Sequence, residues 1–115
     1  MDWVLKIAHA DEWEAAKRSG VYRVPSLEDE GFIHMSRPHQ VHIPANKLYS
    51  DTPGLLILWI DPSRLTAELR EEPGTAGEAM TFPHLYGELN VEAVVAESPL
   101  EPWSEGEFRL PPEPA

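Results

Sequence analysis

Two short blocks hold the residue types best suited to chemistry: Gly31-Phe32-Ile33-His34-Met35-Ser36 and Phe82-Pro83-His84-Leu85-Tyr86-Gly87. Each sets a histidine among apolar and turn-forming residues, where ordinary surface polarity is not expected. In an extended strand side chains alternate between faces, so His34 and Ser36 share a face with Phe32 while Ile33 and Met35 point the other way. By the same alternation His84 and Tyr86 present their polar tips on one side. An imidazole titrates near ~6.5 in water and can therefore give, accept or hold a proton at cellular pH. Ser36 could bind a phosphate or a ribose hydroxyl, or cap a following helix. For His34 the structural alternative is a hydrogen-bonded core histidine, and for His84 a rigid turn.

Further candidates surround these blocks. Gln40 lies about one helical turn after Ser36 and could face the same cleft or fasten the next loop. Glu71 and Glu72 are neighbours on an expected strand, so they point to opposite faces and only one can enter a cleft. Lys6 could offer a compact positive charge to a phosphate, or be the exposed lysine of an edge strand. His39 and His42, three apart, could meet on a helix, but Pro44 interrupts the geometry and no closed ligand set is evident, so no metal is expected. The sequence holds no Gly-x-Ser-x-Gly, Gly-x-Gly-x-x-Gly or phosphate-loop lysine motif, which argues against a serine hydrolase, a doubly wound dehydrogenase and an NTPase.

The 115 residues suit one domain over residues 1–111, with 112–115 as a disordered Pro-rich tail. With no cysteine, disulfides, thiolate metal sites and a cysteine nucleophile are excluded. A formal charge of −11 argues against broad duplex nucleic-acid binding, which depends on Lys and Arg, but leaves room for a local cationic pocket and a small nucleotide-like ligand. No apolar run approaches the ~20 residues of a membrane span and no basic leader is seen, so a cytoplasmic protein is expected.

The elements that must position these residues are short. A first strand is predicted over Trp3 to Ile7, then a helix over Asp11 to Ser19 with acidic residues in its first turn, Trp13, Ala16 and Lys17 inward, and Gly20 as terminator. A turn over Ser26 to Gly31 delivers the Phe32 to Ser36 strand, and two helical pieces follow, the second starting at Pro44. Leu55 to Ile60 is apolar on both faces and predicts a central strand. Strands are also expected over Ala67 to Glu72, Val91 to Ala96 and Glu107 to Leu110, with a mobile loop over Pro73 to Gly77 and an irregular stretch beginning at Pro99. The order predicts an α+β domain of mostly antiparallel small sheets and short helices.

With the residues placed, the chain is similar to the bacterial family catalogued as domain of unknown function 952. The likeness rests on Trp13, Gly20 with Tyr22, the Gly31 to Ser36 block, Gln40, Ala45 with Tyr49, the Leu55 to Asp61 strand, Glu72, the Phe82 to Gly87 block, Phe108 and Pro111. That family in turn resembles the ADP-ribosyltransferase superfamily, and its Ile-His-x-Ser block is similar to the Val-His-Leu-Ser strand of RNA 2′-phosphotransferases. The resemblance implies an ADP-ribosyltransferase-like fold and NAD as a substrate in a cleft between two small sheets. It implies attack at the ribose anomeric carbon through an oxocarbenium-like state. Residue by residue it implies that His34 lines the ribose, that Glu72 holds a ribose hydroxyl or stabilises positive charge, and that His84 joins them as a catalytic group. Lys6, Ser36, Gln40 and Tyr86 would be ligand-binding. A non-catalytic binding domain, or a structural module in which the histidine blocks lock turns, are the competing expectations.

Overall fold

A computed structural model describes residues 2–49, 52–74, 80–100 and 110–114. The strand Leu55–Ile60 (β4) lies at the centre of an antiparallel sheet, between Val4–His9 (β1) and Val94–Leu100 (β8). Its uninterrupted apolar run follows from burial on both faces. Leu58 and Ile60 enter one core cluster with Trp13, Tyr22 and Ile33, while Leu55, Ile57 and Trp59 enter a second with Trp3, Leu5 and Val41.

A helix over Ala10–Ser19 (α1) follows β1, with Asp11 and Glu12 in its first turn and Lys17 and Arg18 in its last, the arrangement that opposes the helix dipole least. Trp13 and Ala16 are buried as expected; Lys17 instead lies outside, pairing with Glu14 and Glu97. Gly20 ends the helix, and Val21–Tyr22 (β2) pairs with Leu89–Asn90 (β7).

The second three-stranded sheet carries both histidine blocks. Its order is Ile33–His34 (β3), Thr81–Tyr86 (β6), Glu68–Pro73 (β5), all antiparallel. A short helix over Pro25–Asp29 (α2) leads in, and Gly31, at φ 89°, turns the chain into β3 in a left-handed conformation that disfavours a side chain. A bridge between Leu5 and Ser36 joins this sheet to the first: the Leu5 amide donates to Ser36 O at 2.7 Å and the Ser36 amide to Leu5 O at 2.9 Å.

Mixed short helices and small antiparallel sheets confirm the α+β class. Several boundaries differ from expectation. A 3-10 turn at Pro38–Gln40 precedes a helix over His42–Leu48 (α3), so Pro44 is its third residue rather than its first. The first helical turn has no intrahelical use for those N–H groups, so proline fits there equally well. Val91–Ala93 is a 3-10 turn, and β8 runs from Val94 through Pro99. Pro99 is tolerated because β8 is an edge strand, where a missing donor leaves no ladder bond unmade. Of the loop expected over Pro73 to Gly77, Pro73 instead ends β5, while Thr75 to Gly77 and most of the Glu107 to Leu110 strand lie outside the described residues. No helix among the described residues is long and apolar enough to cross a membrane.

Candidate functional site

Antiparallel register sets the site on one face of the second sheet. His34 pairs with His84, and His84 with Arg70, while Glu72 pairs with Phe82 and Glu68 with Tyr86. Residues two apart share a face, so Phe32, His34, His84, Tyr86, Arg70 and Glu72 gather on one side. The other side sends Ile33, Met35 and Leu85 into the core. Phe32 stacks on the His84 ring at 4.1 Å between centroids, and the two imidazoles lie 5.4 Å apart, edge to face.

The hydrogen bonds fix which nitrogen each histidine offers. His84 is buried, and its Nδ1 lies 3.0 Å from Glu72 Oε1. Tyr86 donates its hydroxyl to the same oxygen. These hydrogen bonds, Tyr86 first and His84 second, hold the Glu72 carboxyl below its ordinary value. An ionised carboxylate only accepts, so the proton of neutral His84 resides on Nδ1 and the lone pair on Nε2. That Nε2 is buried without a hydrogen-bond partner among the described residues. His34 is arranged in the opposite sense: its Nε2 lies 2.6 Å from Glu30 Oε2 at the half-exposed rim, leaving Nδ1. Arg70 covers the Tyr86 ring at 4.2 Å.

A cavity of about 480 Å³ opens between the two sheets, with His34, Ser36 and His84 in one wall and Lys6 in another. Glu12, Tyr22, Tyr49 and Phe82 complete much of its lining. The position of Lys6 differs from an exposed edge lysine. It stands between Val4 and Ala8 on the face of β1 that packs into the core, opposite Leu58, and is only 8 % exposed. Burial lowers its pKa to about 8, partly offset by Glu12. No carboxylate of the described residues forms an ion pair with it within 4 Å.

The other sequence candidates fall elsewhere. Glu72 and Tyr86 stand behind His84 rather than in the cavity lining. Gln40 is apart from the cavity: its Oε1 accepts from the Arg37 amide at 2.9 Å and its Nε2 donates to Thr81 O at 3.1 Å, fastening the turn after β3 to the start of β6. Arg37, not Ser36, occupies the cap position of Pro38–Gln40. His39 belongs to a second cavity with Trp3 and Arg37, and no group of three or more metal-ligating side chains occurs among the described residues. Glu12, Tyr22 and Phe82 were not singled out as lining residues. Phe82 is the one with a signal, since it shares a strand face with His84.

Two solved structures of protein CC0527 from Caulobacter crescentus are similar to this chain. The crystal structure is 31 % identical with a TM-score of 0.82, the match covering 94 % of each chain. The solution structure is 31 % identical with a TM-score of 0.79, covering 93 % of this chain and 91 % of that one. Among curated proteins none matches. Residues 7–97 match the family described as protein of unknown function, DUF952, and span both histidine blocks together with Lys17, Glu72 and the central strand, so the chain belongs to that family.

Proposed function

We propose that the protein is an enzyme that takes a phosphorylated, ribose-bearing nucleotide of the NAD or ADP-ribose class into the cavity between its sheets and acts at the ribose anomeric carbon. The observation that carries this reading is the Glu72–His84 pair: a buried imidazole oriented through Nδ1 by a carboxylate, with Nε2 unpartnered. Such a pairing fixes the tautomer and orientation of an acid–base histidine. A volume of about 480 Å³ falls in the range of small-molecule sites. The likeness of the histidine blocks to ADP-ribosyltransferase-type strands supports the choice of ligand.

In this reading His84 Nε2 accepts a proton from the attacking group or returns one to the leaving group. Glu72 is a positioning residue, acting through His84, and Tyr86 steadies Glu72. His34 and Ser36 hydrogen-bond ribose hydroxyls. Lys6 supplies the cationic character that favours a phosphorylated ligand. Glu12, the carboxylate in the cavity lining, is placed to offset positive charge developing on the ribose.

One observation favours binding without turnover: Glu72 is engaged by His84 and Tyr86 rather than turned to the cavity. The two readings separate in a nicotinamide-release assay with NAD, run on the wild type and on His84→Gln. Catalysis predicts release by the wild type and a loss of about 100-fold or more in the variant. Equal rates in both proteins, or ligand binding with no release, would remove the catalytic reading.

A further inference from the structure

We infer that Lys6 is an imine-forming amine, directed at the aldehyde of a reducing phosphorylated sugar bound in the cavity. The choice of sugar rests on the proposed function; the reactivity of the amine does not.

Lys6 is the one charged residue of β1, and strand alternation turns it toward the core, in the row Val4, Lys6, Ala8, facing Leu58 across the ladder. Val4, Ala8 and Leu58 are all buried in the first core cluster. A lysine is seldom placed in such a row unless its ammonium emerges somewhere useful, and Lys6 emerges in the lining of the cavity. Structural lysines at such depth are normally paired with a carboxylate. Lys17 shows that arrangement in this chain, held by Glu14 at 2.8 Å and Glu97 at 3.5 Å. Lys6 has no equivalent partner among the described residues.

Desolvation acts on the two amines in opposite balance. The Lys17 ammonium is stabilised by its carboxylates, whereas burial lowers Lys6 to about 8. Near pH 7.5 that raises the neutral, nucleophilic fraction of Lys6 by roughly two orders of magnitude over an ordinary lysine. Amines poised in this way attack carbonyl carbons.

The step balances without another reactant. The neutral Nζ adds to the aldehyde carbon, forming a C–N bond; the nitrogen gives up one of its two protons to water or a wall histidine, and the carbonyl oxygen becomes a hydroxyl by taking one. Loss of that hydroxyl as water, with a second proton, and loss of the remaining proton from nitrogen leave the C=N bond. The net change is amine plus aldehyde to imine plus water. His34 and His84 line the same cavity and can carry the protons.

The test is reductive trapping on the whole protein with ribose 5-phosphate and cyanoborohydride, followed by peptide mapping. The sequence has lysines only at Lys6, Lys17 and Lys47, so each site can be scored. The expected result is an adduct on Lys6 exceeding that on Lys17 by about tenfold or more near pH 7.5, with the Lys6 labelling rate rising through a midpoint near pH 8. Lys6→Arg, which keeps a cation but forms no stable imine, should lose that adduct while retaining the folded circular dichroism signal. Should Lys6→Arg not fold, the pH midpoint on the wild type decides alone. Labelling of Lys17 equal to that of Lys6, or a Lys6 midpoint above pH 10, would overturn the inference. ADP-ribose binding without Lys6 trapping would overturn this inference and leave the proposed ligand class standing; Lys6 trapping without nucleotide binding would do the reverse.

Discussion

Glu72 Oε1 lies 3.0 Å from Nδ1 of His84, two strands of one sheet placing a carboxylate behind a buried imidazole. In the ladder Glu72 stands opposite Phe82, so the pair is diagonal, within reach for a side chain as long as glutamate. One acceptor oxygen thereby serves two donors, His84 and Tyr86, and sets the histidine's free nitrogen.

The sign of the Glu72 shift gives a pH window. Its carboxyl is held below the ordinary 4.5 by Tyr86 and His84, so the folded state favours the ionised form. The stabilisation is fully present above the unfolded value and is lost as pH falls through the folded one. Glu72→Ala should therefore unfold at lower urea concentration than the wild type at pH 7, with the difference shrinking below about pH 4.5. Urea midpoints across pH 3–7 check this; a difference independent of pH would contradict it.

At Lys6 the fold disfavours the charged form instead of favouring it. Its folded pKa of about 8 lies below the ordinary 10.5, so between these values the unfolded chain binds more protons and stability rises with pH. The cost of burying the charge is greatest below pH 8. Lys6→Met should stabilise the protein at pH 7 by up to about 3 kcal/mol, an advantage that fades toward pH 10.5. Urea denaturation at pH 7 and pH 10 measures both ends.

His34 and His84 should separate in their effects on stability. The His34–Glu30 pair is about 39 % and 40 % exposed, and surface pairs of this kind contribute less than about 1 kcal/mol. His84 is 2 % exposed, stacked on Phe32 and bonded to Glu72. Thermal unfolding should show His34→Ala near the wild type and His84→Ala lowered by about 2–4 kcal/mol. A large loss for His34→Ala would favour the structural-module reading, in which that histidine locks a turn.

Gly87 closes the second histidine block against Ala67, where an added Cβ would lie 2.7 Å from the alanine Cβ. Gly87→Ala should cost about 1–3 kcal/mol through overpacking, and Gly87→Ala with Ala67→Gly should recover part of it. Equilibrium denaturation of the single and double variants measures the coupling.

The strands at Leu55–Ile60 and Val4–His9 and the helix ended by Gly20 were legible because apolar runs, charge placement and glycine each act locally. The shared face of His34 with Phe32, and of His84 with Tyr86, followed from alternation alone. What pairs with what was not legible. The ladder that sets His34 beside His84, and Glu72 beneath it, joins segments far apart in sequence, and register is a tertiary outcome. Lys6 had two readings for the same reason, a phosphate contact or an exposed lysine, and only the packing of its face decides against exposure. A lysine in a strand reads as an edge device until the core face is known. Gln40 had two local geometries open to it, and the contact with Thr81 that settles its place is long-range.

The proposed function stands on a nucleotide-class ligand meeting the unpartnered Nε2 of His84. The most direct measurement is a titration of the histidine side-chain ¹⁵N resonances with ADP-ribose, using His39 and His42 as internal references outside the cavity lining. The expected result is a saturable shift of His84 Nε2, a smaller one at His34, and no change in His84 Nδ1 protonation. No shift of any of the cavity histidines His9, His34 and His84 at millimolar ligand, or equal shifts of all five histidines, would contradict it.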